Sequence, residues 1–344
     1  MMGRFIGVDL HKTSFTNCFF ESESKHELKT YRVSAKGITD FKKHLRLDDE
    51  VAVESTGNTA YFVREIEASV KRVRIVNPNQ FKVIAHSVKK TDKIDAFTIA
   101  LFLSKDLIPE VRMKTKEESQ TSSLISTRDK LVKLRTSLKN KIHNILSANG
   151  VISKPEMFSS EKGLEKVLKL GLEDSYRFEI ELLVGEIRHL NDSIEKINAE
   201  IKSRGEKLPG HKNLTSIKGI SDTGATIFLN TIGNVNDFRD EKALASYFGI
   251  VPRVHNSNET IRHGRITKMG NKIARTALVQ STLVAIRYSP YLKAFYERLK
   301  AKKGAGKAII ATSRKMLGII YNTLKNNWVF EDFTQFKLAP QVAA

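Results

Sequence analysis

The chain has 344 residues, 40% of them hydrophobic, and carries 58 Lys and Arg against 38 Asp and Glu, a formal net charge of +20. That length exceeds one ordinary core and implies two domains with an elongated element between them. The absence of a long apolar run argues against a membrane span, MMGRFIGVDL does not read as a signal peptide, and the lone Cys18 excludes an internal disulfide or a cysteine zinc site.

In chain order, Arg4 to Asp9 is a short apolar run ending in a carboxylate, as in a buried strand, and Ser14 to Phe20 and Leu28 to Val33 are two more strand-like runs. Ile38, Phe41 and Leu45 fall on one helical face, Val51 to Glu54 is a fourth strand, and Asn58 is placed to cap a helix running to about Val70. Val73 to Val76 is a fifth strand, stopped by Asn77-Pro78, and a helical region from about Gln80 to Ser104 closes the unit. Three strands followed by alternating helix and strand are the order of a ribonuclease-H-like α/β sheet. A helix follows from Glu117 to Asn149. Between Tyr176 and Ile201, apolar residues spaced four and three apart make a heptad seam that needs a helical partner. That partner is either the Glu117 to Asn149 helix or a second subunit, and the seam's regularity favours the subunit. After a break at Gly205 to Gly210 the chain reads as a compact, mainly helical domain, opened by a glycine turn at Ile217 to Gly224 of the kind that can face a phosphate.

Charge is distributed unevenly. From Arg262 to Lys315 there are 14 basic residues and one acid, Glu297. Such imbalance points to a polyanion, whose binding weakens by roughly 10³ between low and moderate salt when about six phosphates are neutralised. The expected contacts are Arg253, Arg262, Arg265, Lys268, Lys272 and Arg275.

Four carboxylates stand where acids are awkward for folding. Asp9 and Glu54 end the first and fourth strands, which are neighbours in this sheet order, and Asp92 and Asp95 share a helix face. Singly they read as caps and surface acids. Together they would repel unless a hard cation such as Mg²⁺ or Mn²⁺ lay among them, and the chemistry of such a cluster is phosphoryl transfer. Ser257 lies in a polar stretch where serine is ordinarily a turn former. Arg262, His263, Arg265 and Lys268 follow it closely and could hold a phosphodiester for attack, with His255 as base or phosphate contact.

At these residues the sequence resembles the insertion-sequence transposases of the IS one-ten group and the related Piv invertases. The pieces that carry the resemblance are Gly7-Val8-Asp9-Leu10-His11-Lys12, Glu54-Ser55-Thr56-Gly57, Asn77-Pro78, Lys90 to Ala96, Gly249-Ile250-Val251-Pro252, Ser257, and Arg265 to Asn271 with Arg275. It implies a RuvC-like domain over 1–115 with Asp9, Glu54, Asp92 and Asp95 as the metal site. It further implies a coiled-coil insertion over 116–205 and a mainly α transposase domain over 206–335 with Ser257 as nucleophile, forming a covalent phosphoserine. It also implies donor and target DNA as substrates, a bridge RNA as guide, a homo-oligomer (dimer or tetramer), and a cytoplasmic, nucleoid-associated location. Two positions depart from the pattern: Asn258 stands where glycine usually follows the serine, and Ser221 replaces the second glycine of the helical turn. The residues alone leave two other readings open, a RuvC-like junction endonuclease that uses water and a non-catalytic nucleic-acid scaffold.

Overall fold

The structure is a computed structural model that describes residues 3–78, 80–81, 91–257 and 260–330, with only the backbone for 255–257 and 260–263. The chain divides into two compact units, residues 1–116 and 117–344.

The first unit is built on a five-stranded sheet in the order β3-β2-β1-β4-β5. Its strands are β1 (Phe5–Leu10), β2 (Ser14–Ser22), β3 (Lys25–Arg32), β4 (Glu50–Glu54) and β5 (Arg72–Val76). β1 to β3 are antiparallel, while β4 runs parallel to β1 and β5 parallel to β4. Successive strand side chains alternate between faces. Ile6, Val8, Leu10, Phe15 and Phe19 therefore point to one side, where they pack with Ile38 and Phe41 of α1 (Ala35–Lys42) and Phe62 of α2 (Thr59–Ile66). Gly7, Asp9, Cys18 and Phe20 point to the other. There Cys18 and Phe20 meet Ala96 and Ala100 of α3 (Asp92–Ser104). Burial pushes the Cys18 thiol up to about 12, so it stays an inert packing group. Arg4 grips the buried Asp49 carboxylate through Nε at 2.9 Å and Nη2 at 2.7 Å, fixing the entry to β4 beside β1.

The second unit is mostly helical. α4 (Lys116–Ala148) and α6 (Asp174–Glu206) form an antiparallel pair: Arg128 bonds Asn198, Arg135 bonds Asn191 and Lys141 meets Glu179. Ile142, Ile145 and Leu146 share a core with Ile180, Val184 and Ile187 and with α5 (Glu161–Leu168). The seam is thus covered within the chain along its buried members Ile180, Ile187, Ile194 and Ile201, which removes the reason for assigning it to a second subunit. Ile125 and Ile201 continue into the core made by α7 (His211–Thr215), α8 (Asp222–Ile232), α9 (Glu241–Tyr247), α10 (Lys272–Tyr288), α11 (Pro290–Lys303) and α12 (Ala305–Lys325). A two-stranded ribbon, β6 (Pro252–Ser257) and β7 (Thr260–Ile266), stands between α9 and α10, so the polar stretch in which Ser257 reads as a turn former is strand up to Ser257. Among the described residues, no helix is long and apolar enough to cross a membrane.

Candidate active site

The acidic site follows from one close approach. A Cβ on Gly7 would lie 2.1 Å from the Ala96 carbonyl oxygen and 2.4 Å from the Ala100 amide, so only glycine lets α3 lie this near β1. Asp9, two residues along the same face, is thereby brought beneath the first turn of α3. That turn begins at Thr91, whose hydroxyl accepts from the Ile94 amide at 3.3 Å. Its acids, Asp92 and Asp95, stand at the end of the helix where the macrodipole favours negative charge.

His11 joins the carboxylates. Its Nε2 lies 3.3 Å from both Asp9 Oδ2 and Asp92 Oδ1, and the three donor atoms fall within 4.8 Å of one another. Asp9 is 4% exposed, and among the described residues no hydrogen bond reaches its Oδ2. Burial raises the Asp9 pKa to about 6; His11 opposes the rise, while Asp92, Asp95 and Glu54 add to it. Of the four carboxylates read from the sequence, the structure brings Asp9 and Asp92 together with His11, while Asp95 and Glu54 stand outside that group and act on Asp9 only as further negative charge. Burial pushes the His11 imidazolium down, but Asp9, the bond to Asp92 and Glu54 together hold its pKa above the ordinary value. A buried carboxylate oxygen without a donor, facing a second carboxylate and an imidazole, fits a hard divalent cation.

Sequence reasoning passed over His11, although the residue two positions after a strand-end acid lies on the same side of the chain as that acid. Asn58 also differs from expectation. It precedes α2 but makes no side-chain cap; its Nδ2 donates to the His11 carbonyl at 2.9 Å, tying the start of α2 to the segment that carries His11.

Ser257, in the second unit, is the last residue of β6, and its backbone pairs with Thr260. The side chains of His255, Ser257, Arg262 and His263 lie outside the described residues. The ribbon's roots are rigidly held: Gly249 and Gly270 have φ of 68° and 85°, and a Cβ on either would strike the Met269 or Tyr247 carbonyl oxygen near 2 Å (1.9 and 2.1 Å). Arg275 Nη1 donates to the carbonyls of Phe248 and Met269 at 3.0 and 3.2 Å. That places Arg275 as a brace for this crossing. Arg253, Arg265, Lys268 and Lys272 are exposed along the ribbon and the start of α10.

Residues 6–149 match a DEDD-type transposase domain, and residues 211–297 match the Transposase IS116/IS110/IS902 family. The chain is 26% identical over 333 residues to the transposase for insertion sequence element IS1111A of Coxiella burnetii, covering 93% of this chain and 89% of that protein. It is 26% identical over 354 residues to the pilin gene-inverting protein of Moraxella lacunata, covering 96% and 98%. It is also 27% identical over 291 residues to the transposase for IS1328 of Yersinia enterocolitica, covering 83% and 85%. These matches show an enzyme of the transposase and recombinase class, one that cuts DNA. Within that class the chain belongs to the IS110/IS116 family of insertion-sequence transposases.

Proposed function

We propose that the protein moves or inverts a DNA element by serine-based strand transfer assisted by the acidic site. The observation that carries this reading is the convergence of Asp9, His11 and Asp92 within a DEDD-type domain. Asp9, Glu54, Asp92 and Asp95 would hold Mg²⁺ or Mn²⁺, with His11 beside them. When bound, the metal neutralises the carboxylates' repulsion and stabilises charge on the attacked phosphate.

In the proposed step the Ser257 hydroxyl loses its proton and its Oγ bonds to a DNA phosphorus, while the bridging P–O bond of that strand breaks and the leaving sugar oxygen takes up a proton. Rejoining reverses these changes: a sugar hydroxyl of the new partner strand attacks the phosphoserine and restores the serine. The number of phosphodiester bonds is conserved, so no outside energy source is needed. Exposed Arg253 and Arg265 near the root of the ribbon whose other end carries Ser257, with Lys268 and Lys272 just beyond that root, support this reading as cations on and next to the element that bears the serine. A bridge RNA would choose donor and target by base pairing, and a homo-oligomer would bring two such sites to one junction.

The test is strand transfer on a plasmid bearing the element's native flanks, expressed with any RNA they encode. Ser257→Ala and Asp92→Ala are both expected to lose it. Full activity of Ser257→Ala overturns the serine mechanism and leaves water as nucleophile.

A further inference from the structure

The glycine turn at 217–224 opens a cleft of about 430 Å³ that neither the acidic site nor Ser257 uses. Gly219 has φ 101°, and a Cβ there would lie 2.6 Å from the Ser281 carbonyl oxygen and 2.7 Å from the Ala285 amide, so the turn lies directly on α10. α8 starts just beyond. Ser221 takes up the Gly224 amide at 3.2 Å, while helix geometry leaves the amides of Asp222 and Thr223 without carbonyl partners.

Two observations mark this helix start as more than ordinary. The first is Ser281, which lines the cleft, is only 7% exposed and sits with Oγ 3.7 Å from the Cβ position of Gly224. Among the described residues its hydroxyl has no hydrogen-bond partner, whereas the neighbouring helical Thr282, Thr312 and Thr323 each donate to the carbonyl four residues back. A hydroxyl so enclosed and left open to a cleft is a ready donor for a ligand.

The second is Arg128, which lines the cleft from α4. Its Nε donates to the neutral Asn198 Oδ1 at 2.5 Å, and seven residues on Arg135 likewise donates to Asn191 at 2.8 Å. The nearest acid in sequence, Asp129, is engaged by Lys133. Burial, then repulsion from Arg135, pushes Arg128 below the usual guanidinium range, and Lys139 is lowered by the same two causes. Half-buried cations normally face carboxylates; Arg128 and Arg135 instead bond amides, and Arg128 also faces a cleft.

We propose that this cleft binds a phosphodiester of a nucleic-acid backbone, one non-bridging oxygen on Arg128 and the other on the Ser281 hydroxyl and the first amides of α8. Gln280 and Val284 line it and are exposed, so a strand can pass across its mouth. The contact reads charge and not base sequence, and it positions nucleic acid without taking part in chemistry. It stands independently of the serine mechanism.

The test is equilibrium binding of the full-length protein to a labelled DNA duplex of arbitrary sequence and to a labelled RNA hairpin, over a range of salt. Arg128→Gln is expected to weaken binding to DNA, RNA or both by about fivefold or more and to lower the salt slope by about 1. Gln280→Glu, an isosteric change of an exposed residue, is expected to weaken the same ligand, and the ligand affected identifies which nucleic acid occupies the cleft. Lys196→Gln, on the exposed face of α6, changes net charge by the same single unit and serves as the control. If neither cleft variant weakens either ligand more than Lys196→Gln does, the proposal fails; should Arg128→Gln not fold, Gln280→Glu decides alone.

Discussion

The acidic end of the sheet and the arginine side of α4 each hold charges of one sign without enough opposite charge of their own, yet they do so in different shapes. At the sheet, Asp9, His11 and Asp92 meet at a point, because Gly7 draws α3 onto β1. On α4, Arg128, Arg135 and Lys139 form a row along one helix face, and the two arginines lean on asparagine amides from α6. A point of negative charge suits a single compact cation, and a row of positive charge suits a chain of phosphates. Uncompensated charge in a folded protein thus describes the geometry of what it binds as well as its sign.

The strongest way to break this comparison is to pry the point apart. Gly7→Ala forces a Cβ into the α3 backbone and should cost about 3 kcal/mol in urea unfolding. It should also abolish divalent-metal uptake in calorimetry while leaving the row on α4 unchanged. Retained uptake would show that α3 is not what assembles the acids.

The pH dependence sharpens the same point. Asp9 ionises near 3.8 when unfolded and near pH about 6 when folded. Its protonated form therefore stabilises the metal-free fold fully below the lower value, and that contribution is lost as pH rises through the upper one. Compared with Asp9→Asn, the metal-free wild type should lose on the order of 2–3 kcal/mol between these values. Metal affinity should run the opposite way, strengthening as pH passes 6. Parallel pH curves for the two proteins would contradict the burial argument. The smallest expected effect is that of Asn58→Ala, which removes the bond to the His11 carbonyl and should cost about 1 kcal/mol, with a modest loss of metal affinity.

The sheet was legible because its strands are short apolar runs closed by turn residues, and alternation put Asp9 on the face opposite Val8 and Leu10. The placement of Asp92 and Asp95 was legible from helical spacing. His11 was not, since a single imidazole after a strand has no periodic signal and acquires meaning only when α3 arrives. The β6–β7 ribbon was hidden because its strands carry polar residues at most positions and Asn258-Glu259 lacks the glycine that marks a tight hairpin. The heptad seam of α6 was visible, but heptads do not say which chain supplies the partner. The answer lay in α5 and the loops around it, which fold the chain back so that Ile180 and Ile187 meet Ile142 and Ile145.

The central claim joins the acids of the first unit to a serine of the second, and one measurement tests it most directly. Wild type, Ser257→Ala and Asp92→Ala are incubated with element-end DNA, any RNA encoded by the flanks, and Mg²⁺ or Mn²⁺, then resolved under denaturing conditions for a protein–DNA adduct mapped by mass spectrometry. The account predicts an adduct at Ser257 in the wild type, absent from both variants. Nicked DNA without an adduct in the wild type, or an adduct that survives Ser257→Ala, would contradict it.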